Sequence, residues 1–156
     1  MVNPSSHFGA RKLRKGRRSL QNHVYHVTTS TVSRVPLFND LNSGRCVVQS
    51  MRRIQASRIA DTWSYVVMPD HVHWLLQLHS RSSLSGCVAS MKAHSSRLLK
   101  QLTERRGPVW QRGFYDRCIR GDEDLLQVGR YLVANPLRAG LVTDICQYSL
   151  WDSIWV

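Results

Sequence analysis

The period of the apolar positions switches repeatedly between about two and about 3.6 residues, and each switch marks a new element. Residues 1 to 22 show no period; rich in Ser, Gly, Arg and Lys, they read as a mobile basic arm. His23 to Thr29 has the β-branched and aromatic content of a first strand. Pro36 and the pair Asn39-Asp40 then announce a helix, either Asn39 or Asp40 suiting its N-cap. That helix is expected to run to about Ser57, with Leu41, Val47, Val48, Met51 and Ile54 as its apolar stripe.

Thr62 to Met68 and His71 to Leu78 read as two strands joined by the short Pro69-Asp70 turn. Ser83 or Ser85 then caps a second long helix, with Leu84, Val88, Met91, Ser95, Leu98 and Leu102 facing inward and Gly107-Pro108 ending it. Phe114 to Ile119 reads as a fourth strand. Gly121 and the acidic residues Asp122, Glu123 and Asp124 mark the start of a third helix, their charge suiting its positive end. It carries Leu125, Leu126, Val128, Leu132 and Val133, and Pro136 is expected to close it.

The order strand, helix, strand, strand, helix, strand, helix predicts an α+β chain of the ferredoxin-like, split βαβ class. Two helices would cover one face of an antiparallel sheet and leave the other for a site. Residues 23 to 156 form one domain in this reading, with no internal repeat.

Composition narrows the class. The 156 residues and 42% hydrophobic content suit one packed domain, and no apolar run is long enough to cross a bilayer. No apolar stretch follows the basic Arg11 to Arg18, which argues against a signal peptide and points to the cytoplasm. The four cysteines are scattered, so neither a zinc finger nor a disulfide framework is indicated. Charge says more. Lys and Arg number 22 against ten Asp and Glu, a net +12. Only six of those positive charges lie in the arm, on Arg11, Lys12, Arg14, Lys15, Arg17 and Arg18. The excess continues through Arg52, Arg53, Arg58, Arg105, Arg106, Arg112, Arg117 and Arg120. Without an amphipathic anchor, a polyanion of the nucleic-acid kind is favoured over a membrane.

Strand alternation supplies candidate chemistry. From His71 onward one strand face carries Val72, Trp74, Leu76 and Leu78, while the other carries His71, His73, Leu75, Gln77 and His79. Histidines at i and i+2 project side by side and can share one divalent ion. His79 lies roughly 20 Å from His73 at the usual rise per residue, too far to join them. A His-x-His pair alone also occurs in zinc hydrolases and by chance. On the third helix, Tyr131 and Asn135 are four apart and share a face, a phenol and an amide presented together. A half-buried tyrosine and a helix-ending asparagine before Pro136 explain the same residues without chemistry.

Three blocks carry a resemblance to a known family. They are Val66-Val67-Met68-Pro69-Asp70-His71-Val72-His73-Trp74, then Trp110-Gln111-Arg112-Gly113-Phe114, then Arg130-Tyr131-Leu132-Val133-Ala134-Asn135-Pro136-Leu137-Arg138-Ala139-Gly140-Leu141-Val142. In this order they resemble the single-tyrosine HUH transposases, specifically the bacterial REP-associated tyrosine transposases, over nearly the whole chain. The resemblance implies that His71 and His73 hold Mg²⁺ or Mn²⁺ and that Tyr131 is the nucleophile. The family's third ligand is a polar side chain one turn after the tyrosine, often glutamine; here that place holds the shorter Asn135. The implied activity is cleavage and rejoining of single-stranded DNA through a 5′-phosphotyrosine, on REP-type palindromes folded as hairpins. The arm, with Arg112, Arg117 and Arg120, would contact phosphates. Relatives act as monomers or as homodimers, and both remain open. The main alternative is a DNA-hairpin-binding regulator that does not cleave.

Overall fold

A computed structural model describes residues 19–79, 81–121 and 123–155, so most of the basic arm, Arg11 to Arg18 included, lies outside the described residues. Strand β1 (Val24–Ser30) leads through a 3₁₀ turn to helix α1 (Leu41–Ala56), then β2 (Ala60–Val67), β3 (His71–Leu78) and α2 (Leu84–Thr103). After β4 (Tyr115–Cys118) come α3 (Leu125–Val133), the one-turn α4 (Asn135–Arg138) and β5 (Trp151–Ser153). The sheet order is β4-β1-β3-β2-β5, antiparallel throughout. The first four strands are the expected split βαβ sheet; β5 extends it by one edge strand.

The caps obey local chemistry. Asp40, not Asn39, caps α1 by accepting from the Ser43 amide, and Ser83, not Ser85, caps α2 through the Gly86 amide. Asp124 caps α3, accepting from the amides of Leu126 and Gln127. Within α2 the buried stripe ends at Leu99, while Leu102 is 50% exposed. Leu102 sits in the last turn, just before Glu104 ends the helix in a left-handed conformation well ahead of Gly107. Pro136 does not simply close α3. The chain breaks at Ala134, and Pro136 occupies the first turn of α4, where its missing N–H costs nothing.

One sheet face, with Val27, Val72, Trp74, Leu76 and Leu78, packs under α1 and α2. The other is partly covered by α3: Leu132 and Val133 cluster with Val66, Met68 and Leu75. Complete burial of Leu75 and Leu132 contributes roughly 1.5–3 kcal/mol each. The C-terminus seals this contact. Trp155 packs against Gly129 of α3, where a side-chain carbon would meet its ring at 2.4 Å. The spacing of Trp151 and Trp155, one helical turn in sequence, is here a strand followed by a turn, and both rings join the α3 cluster. Among the described residues no helix is long and apolar enough to cross a membrane.

Candidate active site

Antiparallel register decides what shares the α3 face of the sheet, because directly paired residues project to the same side. Thr28 pairs with His73, Ser30 with His71, Arg117 with His26 and Tyr115 with Thr28. The expected pair on β3 is therefore joined by His26 from β1. The His71 and His73 ring centroids lie 5.0 Å apart, and those of His26 and His73 5.3 Å apart.

Each of the two expected ligands has its Nδ1 engaged. His71 Nδ1 donates to Asp70 Oδ1 at 2.6 Å, and Asp70 Oδ2 accepts from Arg34 Nε at 2.9 Å. His73 Nδ1 lies 3.1 Å from Thr28 Oγ1 and 3.1 Å from His26 Nε2. With Nδ1 carrying the proton, Nε2 keeps its lone pair, the arrangement that metal-ligating histidines adopt when an outer partner orients them. Burial pushes His73 down to about 3, with His26, His71, Arg138 and Arg34 adding to the effect. Burial and then Arg117 also lower His26. His73 is thus held neutral, as a metal-ligating imidazole must be, and burial shifts the neighbouring His26 in the same direction.

Arg34 reaches Asp70 by unusual means. Ser33 and Arg34 are consecutive non-glycine residues at φ 50° and 57°, a conformation that costs of order 1–3 kcal/mol per residue. From there Arg34 makes the Asp70 ion pair and a hydrogen bond from its Nη1 to Ser30 Oγ, 2.9 Å.

The predicted nucleophile is not in contact with the histidines. Burial of Gly129, Leu132 and Val133 fixes the rotation of α3 and turns Tyr131 outward, 66% exposed. The Arg138 guanidinium lies over its ring at 3.7 Å. Arg138 also acts on His73 through its charge, so it links the helix to the histidine pair. Asn135 lies beyond the helix break, and its Nδ2 donates to the Leu132 carbonyl at 2.7 Å. That bond orients the amide and leaves Oδ1 as the group able to accept or to ligate. Among the described residues no hydrogen bond joins Tyr131 or Asn135 to either histidine.

No group of three His, Cys, Asp or Glu side chains gathers to hold a metal among the described residues. His26 does not complete such a group because its Nε2 is turned onto His73. The donors nonetheless suit a divalent ion: two imidazole Nε2 atoms on one face, with the hard Asn135 Oδ1 as the remaining candidate. His79 pairs with Asp61 and His94 contacts Ser50, both away from this cluster. Of the three expected phosphate-binding arginines, Arg117 is on the site face, ion-paired with Glu123. Arg112 and Arg120 are exposed on either side of β4. Sequence reasoning missed His26, Thr28, Arg34 and the outer role of Asp70. Only His26 and Thr28 left a signal, as polar positions alternating with Tyr25 and Val27.

Known proteins resemble this chain in sequence and in fold. The profile of the family described as "Transposase IS200 like" matches residues 19–135. A Haemophilus influenzae protein that bears the name of a REP-associated tyrosine transposase is 30% identical over 92 residues, 53% of this chain and 52% of that protein. The matched segment thus spans about half the length of that curated relative. A REP-associated tyrosine transposase bound to a REP hairpin shares the fold, with a TM-score of 0.70 at 17% identity over 86% of this chain and 79% of its own. A Deinococcus radiodurans protein described as a transposase aligns with a TM-score of 0.55 at 21% identity, over 76% of this chain and 94% of its own. With three quarters of its length inside the family profile, the chain belongs to the IS200-like transposase family.

Proposed function

We propose that this protein cuts and rejoins single-stranded DNA at the foot of a hairpin, with Tyr131 as nucleophile and Mg²⁺ or Mn²⁺ held by His71, His73 and Asn135. The observation that carries this reading is the histidine pair: two rings on one sheet face, each with Nδ1 engaged by an outer partner and Nε2 spare. Membership of a transposase family, and the REP hairpin bound by a structural neighbour, support hairpin DNA as the substrate class.

A divalent ion at this site supplies charge neutralisation at the non-bridging oxygens of the scissile phosphate. Asp70 and Thr28 keep the two imidazoles from rotating, and Arg34 anchors Asp70. The Tyr131 oxygen attacks phosphorus, the P–O3′ bond breaks, and the phenolic proton is balanced by the proton gained at the freed 3′-OH. The 5′-phosphotyrosine that results keeps the energy of the phosphodiester, so an incoming 3′-OH can reverse the step. Arg138, stacked on the Tyr131 ring, brings positive charge to meet the phosphate. Because Tyr131 does not touch the histidines, bound DNA bridges the two parts. Arg11, Lys12, Arg14, Lys15, Arg17 and Arg18 of the arm, with Arg112, Arg117 and Arg120, contact the DNA backbone.

Incubation with a hairpin oligonucleotide carrying an unpaired foot, plus Mg²⁺ or Mn²⁺, is expected to yield a denaturant-resistant protein–DNA complex. Cleavage without such a complex would mark a metal-dependent hydrolase, and binding without cleavage a regulator.

The outer partners have their own expected effect. Asp70→Asn keeps the shape of the side chain but loses the charge that faces both His71 and Arg34. Mn²⁺ affinity, followed by the loss of free-ion paramagnetic signal, is expected to fall about 10–100-fold. Unchanged affinity would remove Asp70 from the metal site.

A further inference from the structure

The site face is covered unevenly. Over β2, β3 and β5, α3 packs on Val66, Leu75 and Trp151. Over β1 and β4 the same face presents His26, Thr28, Arg117 and Tyr115, and Tyr115 is 66% exposed. The tyrosines Tyr25 and Tyr148 serve the fold: Tyr25 Oη accepts from the Leu20 amide, and Tyr148 Oη donates to the Val67 carbonyl. Among the described residues no such bond engages Tyr115, which lies exposed on an edge strand.

Its position in the sheet is specific. Tyr115 pairs with Thr28, and Thr28 pairs with His73, so the three lie in one row across β4, β1 and β3. Two inter-strand spacings put Tyr115 about 10 Å from His73 along that row, within one nucleotide's reach of a phosphate bound at the histidines. The next row carries Arg117 beside His26, its guanidinium about half exposed while paired with Glu123. An open aromatic face beside an arginine, in a chain of net charge +12, is complementary to an unpaired nucleotide. Such a strand offers a base for stacking and a phosphate for charge.

Resting on the proposed function above, we infer that Tyr115 is the stacking platform for the unpaired DNA nucleotide next to the phosphate held at His71 and His73, with Arg117 flanking that nucleotide's backbone. The hydroxyl is not needed for this role; the ring is. Base stacking on an aromatic tolerates any base, so Tyr115 would contribute affinity for the unpaired strand and leave sequence choice to other contacts.

The test reads binding without turnover, in EDTA, so that its outcome is separate from that of the cleavage chemistry. A DNA hairpin with an unpaired foot carries 2-aminopurine at each foot position in turn, and in the stem as a control. Wild-type protein is expected to quench one foot position, Tyr115→Phe and Tyr115→Trp to keep that quench, and Tyr115→Ala to lose it. Affinity for the unpaired foot should fall about tenfold in Tyr115→Ala, with stem fluorescence unchanged. Tyr115→Thr, which suits an edge strand, repeats the loss if alanine disturbs β4. Unchanged quench and affinity in both small variants would overturn the inference. So would a Tyr115→Phe variant as weak as alanine, which would assign the role to the hydroxyl. A missing covalent complex in the wild type, with the quench pattern intact, would instead count against the nuclease reading alone.

Discussion

Tyr131→Phe is expected to abolish the covalent protein–DNA complex while leaving hairpin affinity and thermal stability unchanged. The two halves of this expectation have separate physical grounds. Removing a covalent nucleophile lowers the rate by on the order of 10⁴–10⁶, because phenylalanine has no oxygen to form the bond to phosphorus. The structural cost is small because Tyr131 is 66% exposed and, among the described residues, its hydroxyl makes no hydrogen bond. Surface changes of this kind lie within about 0.5 kcal/mol. The Arg138 guanidinium stacks on the ring, which phenylalanine retains. Denaturing electrophoresis of the variant on a hairpin substrate, beside a binding titration, checks both halves.

His73→Gln is expected to lose metal-dependent cleavage completely, and to weaken Mn²⁺ binding by more than Asp70→Asn does. The order of the two effects is the informative part. His73 would be a ligand, whereas Asp70 only orients one, and outer-partner changes typically cost 10–100-fold. Glutamine keeps a polar group opposite Thr28 Oγ1 and His26 Nε2, which limits the penalty of leaving those atoms without a partner. If Mn²⁺ affinity in His73→Gln equalled that of the wild type, the pair would be structural. An effect smaller than that of Asp70→Asn would exchange the roles assigned to the two positions.

Much of the fold was legible because its periods are clean. The polar face of β3 could be read from alternation alone, and the long helices from their stripes. What alternation cannot supply is register. The polar positions His26 and Thr28 are visible on β1, but their meeting with His73 depends on pairing between strands 45 and 47 residues apart. For the same reason, only the pairing of Tyr115 with Thr28 fixes which sheet face Tyr115 occupies. Arg34 left no trace, since a left-handed pair at Ser33 and Arg34 has no glycine to announce it. The expected single helix through Tyr131 and Asn135 breaks at Ala134, and Asn135 begins the next turn. Their one-turn spacing in sequence therefore overstated how closely the two would act. A three-residue β5 is too short to show a period.

The central claim, that Tyr131 attacks DNA at a site built on His71 and His73, is tested most directly by mapping the covalent complex. Wild-type protein would be incubated with a hairpin oligonucleotide and Mn²⁺, digested with a protease and a nuclease, and analysed by mass spectrometry for a nucleotide-bearing tyrosine. The account predicts a 5′-phosphotyrosine on the peptide containing Tyr131 and none in His73→Gln. A nucleotide on Tyr115, or cleaved DNA with no modified tyrosine, would contradict it.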